Sequence, residues 1–343
     1  MKIIVALIIF SVIIIIHELG HFLAAKANNV YVQEFTLGLG PTILGFQKGE
    51  TKYCLKLLPF GGSCVMLGEE EASEDERAFN NKNVWQRMMI VLAGPFFNFI
   101  LAFFLSLFVI GLSGADVPVI QAVQENSPAQ EAGIQAGDRI RKMDGSRVYN
   151  FREIVYKMLL NKGGDPVSFV YERDGVEKEV TVVPEKTESG NYLTGMSGGA
   201  YEKQGFFGTI KYSLLEVRCQ IKVVFWSLRY MVSGYFSPND ISGPVGIVSM
   251  IGDTYDEAQS YGFLTVLLSM FNNSIMISAN LGVMNLLPIP ALDGGRFLFY
   301  VIEVLRGKPM DPDKEGMIHF AGLVVLLGLM VLILFNDVRN IFF

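Results

Sequence analysis

His17-Glu18-Leu19-Gly20-His21 decides the fold of this chain as well as its chemistry. The five residues lie inside an apolar run, residues 3–27, whose only other charge is Lys26. A run of that length can cross a bilayer, which takes about 20 apolar residues. On a helix, two histidines four apart share one face and can hold one zinc ion. Glu18 follows the first of them and can act as general base toward a metal-activated water. His-Glu-x-x-His also arises by chance on surface helices. That explanation weakens inside a hydrocarbon-spanning helix, where three ionisable groups are costly and mark function by default. The chain has three histidines, and two of them are here. With 1.5 Å of rise per residue, the motif sits roughly 10–16 Å inside the C-terminal end of its helix.

The bulk composition agrees with a membrane setting. The chain has 343 residues, 51% of them hydrophobic, and a mean hydropathy of +0.37. That is too apolar for an ordinary soluble protein and suits a membrane protein with a modest soluble part. A net charge of −6 leaves no basic footprint for nucleic acid. Cys54, Cys64 and Cys219 make neither a disulfide framework nor a clustered metal site, and read as free small apolar residues. The N-terminal run is too long for a cleaved signal peptide and lacks a small-residue cleavage site.

Outward from the motif, the chain alternates membrane and soluble character. Residues 1–27 form the first span. Residues 28–83 follow as a membrane-associated β-loop and acidic linker. Alternation with β-branched and aromatic residues, broken by Gly38, Gly40, Pro41, Pro59, Gly61 and Gly62, predicts short strands and hairpins. A small sheet of this kind has an edge that can accept an extended peptide. Residues 84–112 form the second span, with Trp85 and Arg87 at its opening and Asn98 within it, which either bonds a neighbouring helix or lies near the site, packing glue being the preferred reading. Residues 115–199 regain charges and turns and predict a compact α+β domain. Residues 206–240 mix apolar positions with Lys211, Arg218, Lys222 and Arg229 and predict an amphipathic helix at the interface. Residues 241–246 read as a turn. The third span, residues 263–305, is broken by an Asn-Pro-Pro-Asp segment, and residues 316–335 form the fourth. His319 stands alone near its start and reads as an interfacial or satisfied histidine.

Two histidines leave a catalytic zinc short of one protein ligand. Pro288 and Pro290, two apart, forbid a regular helix after Asn285. Irregular backbone at membrane depth is tolerated where it is buried in protein or lines a cavity. Asp293 is the one acid in that apolar region before Glu303 and is the best candidate for the third ligand. Its alternative role is to cap the helix that follows.

The pairing of residues 17–21 with Asn285 to Gly295 resembles the site-2 protease family of intramembrane zinc metalloproteases, of the bacterial regulator-of-sigma-E-protease type. The similarity extends over nearly the whole chain. Residues 115–199, with Ala132-Gly133-Ile134-Gln135-Ala136-Gly137-Asp138, resemble a PDZ domain of that family, present once where some members have two. Ala93-Gly94-Pro95-Phe96-Phe97-Asn98 also fits its pattern. The resemblance implies a fold class: a polytopic α-helical membrane protein with four transmembrane helices, a membrane-associated β-loop and an inserted α+β PDZ domain. It implies one Zn2+ per chain on His17, His21 and Asp293, with Glu18 catalytic. It implies substrate handling by Asn285, with Pro288 and Pro290 in the same segment and Gly61 and Gly62 in the β-loop. The partners it implies are the lipid bilayer, single-span membrane proteins such as anti-sigma factors or signal-peptide remnants, and an upstream protease that cuts first. An inactive scaffold and a metal transporter are the competing classes; neither needs Glu18.

Short connections rich in Lys and Arg stay in the cytoplasm. The long PDZ segment is discounted, because large domains cross regardless of charge; of the remaining Lys and Arg the first and third connections carry most, so the chain is expected in the bacterial cell membrane with the PDZ domain and both termini extracytoplasmic. The active site then lies toward the cytoplasmic side.

Overall fold

The computed structural model describes residues 2–69, 71–187, 190–232 and 243–342. The chain forms two compact units, residues 1–102 with 241–343, and residues 103–240.

The first unit opens with α1 (Lys2–Ala27), an uninterrupted helix that buries Ala6, Ile9, Ile13, His17, Gly20, His21 and Ala25. These positions recur at three- and four-residue spacing, so one stripe faces the protein and the rest is left to lipid. Strands β1 (Val32–Lys48) and β2 (Thr51–Met66) follow. Short separate hairpins were expected; the structure instead has one long hairpin doubled on itself. Lys48 to Thr42 pairs with Thr51 to Lys56 about the turn, and Val32 to Leu37 pairs with Met66 to Gly62. Residues 34–37 pair in addition with 52–55, the numbers rising together. The sheet therefore has four ribbons in the order 42–48, 51–58, 32–39, 61–66. Gly38 and Gly61, both at positive φ, stand where the ribbons change partner. Ribbon 61–66 is an edge with no further ladder partner among the described residues.

Helix α2 (Val84–Ser113) is the second apolar helix, and its first part belongs to this unit. After the second unit come α6 (Pro244–Gln259), α7 (Phe263–Asn285), α8 (Asp293–Arg306) and α9 (Pro312–Phe342). Helix α6 corrects the expected turn. Pro244 and Gly246 lie in its first turn, because proline at the first helical position costs no hydrogen bond; Ile241 and Ser242 lie outside the described residues. Its Ile251 packs with Ala6, Ile9 and Ile13 of α1 and Met270 and Ile277 of α7. Asp337 of α9 accepts hydrogen bonds from Gly243 N and Gly246 N, both 2.9 Å, at the start of α6. Among the described residues, four helices are long and apolar enough to cross a membrane: Lys2–Ala27, Val84–Ser113, Phe263–Asn285 and Lys314–Arg339.

The second unit holds β3 (Ala115–Val123), α3 (Pro128–Glu131), β4 (Arg139–Met143), β5 (Ser146–Arg147), α4 (Phe151–Leu160), β6 (Val167–Arg173), β7 (Val176–Val182), β8 (Glu185–Lys186), β9 (Tyr192–Leu193), β10 (Met196–Glu202) and α5 (Phe206–Val232). The main sheet runs β10-β3-β4-β6-β7, antiparallel throughout, with β5 beside β4. Ile120, Ile140, Met143, Phe151, Ile154 and Phe169 are among its core. Helix α5 fits the expected amphipathic helix as far as Val232; residues 233–240 lie outside the described residues. Three of its charges are engaged by the domain. Lys222 and Arg218 pair with the fully buried Glu153 of α4 at 2.7 and 3.2 Å, and Glu216 pairs with Arg152 at 2.8 Å.

Candidate active site

His17 and His21 project from one face of α1, as their spacing requires. Asp293 is the first residue of α8, reached by the irregular segment 286–292. Leu292 holds the capping position, and no side chain caps the helix. The Asp293 carboxylate instead points at the histidines: Oδ2 lies 3.2 Å from His17 Nε2 and 3.5 Å from His21 Nε2. The two Nε2 atoms are 3.2 Å apart. The edge of a tetrahedron with metal–ligand bonds of 2.0–2.1 Å is about 3.4 Å. Three donor atoms at these separations fit three corners of such a tetrahedron, and the donor set, two imidazoles and a carboxylate, is one that suits zinc.

The surroundings prepare those donors. His21 Nδ1 donates to Ile90 O at 2.9 Å, which leaves the Nε2 lone pair free. Asn98 of α2, read as helix glue or as a residue near the site, lies beside the site: its Nδ2 is 3.2 Å from His17 Nδ1 and fixes that ring too. Exchanging the positions of the amide nitrogen and oxygen would let Asn98 accept from Nδ1–H and leave His17 Nε2 likewise free. Ser278 of α7 donates to Asn98 O at 2.8 Å and ties the third apolar helix to the same point. Gly94 faces both rings: a β-carbon there would sit 2.2 Å from His21 Nε2. Gly294 and Gly295 let segment 286–290 wrap tightly over the start of α8, since β-carbons there would meet Leu287 O at 2.3 Å and Ile289 O at 2.4 Å.

The three donors open into a cleft of about 720 Å³, which Glu18 also lines. The opposite wall is the free-edged ribbon of β2, residues 62–66, continuing to Leu67. Glu18 Cγ would lie 3.3 Å from a β-carbon on Gly62. Among the residues marked in the sequence for substrate handling, Gly62 lines this cleft; Gly61, Asn285, Pro288 and Pro290 are not among its lining residues. Cys64 lines it as a free thiol. Burial first, then the carboxylates of Glu18 and Glu69, pushes that thiol up, which keeps it neutral. Arg296, one turn past Asp293, pairs with Glu69.

His319 is a satisfied histidine, one of the two roles read for it in the sequence. It lines the cleft, and its Nδ1 accepts from Ala291 N at 2.9 Å. Ala291 has φ 74°, a left-handed conformation that costs a non-glycine residue of order 1 kcal/mol or more. The bond from α9 holds that backbone two residues before Asp293. Nothing in the sequence pattern distinguishes a lone His319 or Asn98 from any polar residue in an apolar helix.

The profile of peptidase family M50 matches residues 5–329. The chain belongs to this family. A Clostridium acetobutylicum protein provisionally named a zinc metalloprotease is 42% identical over 339 residues, 98% of this chain and 97% of that one. Zinc metalloprotease RasP of Geobacillus kaustophilus is 31% identical over 420 residues, covering 98% and 97%. Regulator of sigma-W protease RasP of Bacillus subtilis is 29% identical over 421 residues, covering 98% of each. The solved PDZ domain of an SdrC-like protein from Listeria monocytogenes aligns at 21% identity with a TM-score of 0.22, covering 24% of this chain and 87% of that one. M50 membership and four apolar helices make this chain a multi-pass membrane peptidase.

Proposed function

We propose that this M50 peptidase hydrolyses peptide bonds within or beside the membrane, in single-span proteins already trimmed by another protease. The observation that carries this is the triangle of His17 Nε2, His21 Nε2 and Asp293 Oδ2 facing an unpaired strand edge across a cleft that holds Glu18. These three residues would hold one Zn2+, which when bound polarises a scissile carbonyl and lowers the pKa of water. Glu18 takes the proton of the attacking water and delivers it to the leaving amine. Ile90 O and Asn98 hold the two imidazoles in place, and the His319–Ala291 hydrogen bond holds the loop that delivers Asp293.

A transmembrane helix hides its amides in its own hydrogen bonds and must unwind before it is cut. An extended segment lying along residues 62–67 replaces the lost bonds with ladder bonds to the free edge, and brings its carbonyls past Glu18. Gly61, Asn285, Pro288 and Pro290 belong to the elements framing this path. Regulatory substrates, anti-sigma factors or signal-peptide remnants, follow from kinship with a protein named regulator of sigma-W protease. The domain at 115–199 is read as a PDZ domain that filters substrates by size or by exposed ends.

The test is co-expression of a pre-trimmed single-span substrate with the intact protein or with Glu18→Gln. The intact protein cleaves it and the variant does not; equal cleavage by both sinks the mechanism. Sidedness rests on the Lys and Arg of the two short connections. With Cys54, Cys64 and Cys219 replaced, Lys178→Cys labels with an impermeant reagent in intact cells and Lys308→Cys only after lysis. The reverse pattern overturns the orientation.

A further inference from the structure

We infer that the membrane end of the inserted domain carries a binding site for the phosphate of an anionic phospholipid. A cleft of about 540 Å³ opens in the second unit, lined by Arg139, Arg141, Lys142 and Arg147 of β4 and β5 and Lys211 of α5. The acids on its wall are Glu172 and Glu177. Glu172 neutralises Arg141 at 2.6 Å, and Glu202 pairs with Arg139 at 3.3 Å. No ion pair reaches Lys142, Arg147 or Lys211 among the described residues, and Lys211 rests on the ring of Tyr212. A concavity with three cations outside any ion pair, against one such acid, Glu177, keeps a net positive charge that suits the oxygens of a phosphate.

Its place in the fold says where that phosphate comes from. Lys203 Nζ donates to Leu112 O at the end of α2, and Glu202 pairs with Ala115 at the start of β3. The end of the apolar helix, the first residues of the sheet and the start of α5 are thereby gathered at one level. Leu112 is 43% exposed there, and Phe206 and Phe207, which begin α5, are 74% and 83% exposed. Exposed phenylalanines at the start of an amphipathic helix beside the end of a span fit burial at the boundary of headgroups and acyl chains. Lys211 lies five residues along α5 from Phe206, about 8 Å. Pro118, also on the cleft wall, lies three residues beyond Ala115, about 10 Å. Each headgroup layer is roughly 5–8 Å thick, and lysine and arginine side chains reach the remaining distance. The cleft therefore meets lipid phosphates of the leaflet that α2 has just left. An acidic peptide would satisfy the same charges but gives no role to the exposed Phe206–Phe207 pair beside them.

Full-length protein in a neutral detergent is exposed to phosphatidylglycerol or phosphatidylcholine, and bound lipids are counted by native mass spectrometry. The comparison uses K142S/R147S/K211S, each single serine variant, and the charge-preserving K142R/R147K/K211R. Wild type and the charge-preserving variant retain one more phosphatidylglycerol than the triple serine variant, and the three do not differ in phosphatidylcholine. A basic group near an anionic surface counts for about five-fold, so the triple variant binds on the order of 100-fold more weakly, with stepwise loss in the single variants. Equal retention of phosphatidylglycerol by wild type and every serine variant overturns the proposal. So does its displacement by equimolar inorganic phosphate or by a soluble acidic peptide, which would make the site one for a free anion or a peptide.

Discussion

Gly94→Ala replaces one hydrogen with a methyl group in the middle of α2. The added carbon would lie 2.2 Å from His21 Nε2, 2.5 Å from its Cε1 and 2.9 Å from His17 Cε1. Non-bonded atoms of this kind sit comfortably at about 3.5 Å, so His21 Nε2 must retreat by about 1.3 Å. Donor distances in a zinc site tolerate about 0.2 Å. Helix α2 cannot withdraw instead. On one side Gly20 of α1 already meets Ala93 O, where a β-carbon would sit at 2.4 Å, and on the other Gly282 of α7 packs on Phe99 and Pro95 O. The expected result is loss of most bound zinc after dialysis against a chelator, and loss of cleavage with it. Zinc is read by atomic emission and the fold by circular dichroism. Gly111→Ala on the same helix is the control, because nothing lies within 4 Å of its β-carbon position. It should keep its zinc and gain about 0.5–1 kcal/mol of helix stability. Wild-type zinc and cleavage in Gly94→Ala would refute the packing geometry on which the site is built.

Asp293→Asn should lose zinc readily and stop cleaving; survival of both would return Asp293 to a capping role. His319→Leu removes the acceptor for Ala291 N and should release zinc to a chelator faster than wild type, whereas His319→Asn keeps an acceptor near Nδ1 and should restore retention; identical release rates for wild type and His319→Leu would deny the latch. Burial pushes the Asp116 carboxyl up, opposed by the hydrogen bond from Arg152 N. The folded domain thus holds that proton more tightly than the unfolded chain, so the stability it lends is complete below about pH 4 and is lost as pH rises through the raised value. The melting temperature of Asp116→Asn should accordingly gain on wild type as pH rises from 4 toward neutrality, and a pH-independent difference would contradict this. Replacing residues 116–184 with a flexible bridge should leave cleavage of pre-trimmed substrate intact and raise cleavage of full-length substrate, and unchanged selectivity would show that the domain is no filter.

That His17 and His21 share one buried face was legible because a helix places i and i+4 together, and because charged groups in an apolar run need a reason. The meeting of Asp293 with those histidines was legible by the same logic, from a solitary acid after two prolines. The first two apolar helices followed from length and apolarity alone; the third ends at Asn285 rather than continuing to residue 305, and the fourth is longer than residues 316–335, running Lys314–Arg339. What escaped was set by tertiary contact. Pro244 and Gly246 carry the same local signal in a turn as in the first turn of a helix, and the burial of Ile251 against α1 is what selects the helix. The doubling of the β-hairpin depends on residues 34–37 having partners on both sides, which period-two alternation does not encode. Asn98 and His319 acquire their roles from His17 and Ala291, far away in sequence, and Gly94 matters only because two imidazoles lie against it.

The most direct measurement is X-ray absorption at the zinc edge of the purified full-length protein. Two imidazole nitrogens and carboxylate or water oxygens at about 2.0–2.1 Å are expected, with no sulfur, and one carboxylate fewer in any zinc that Asp293→Asn retains. A sulfur scatterer at about 2.3 Å would place Cys64, which lines the same cleft, in the coordination sphere and contradict the assignment of His17, His21 and Asp293.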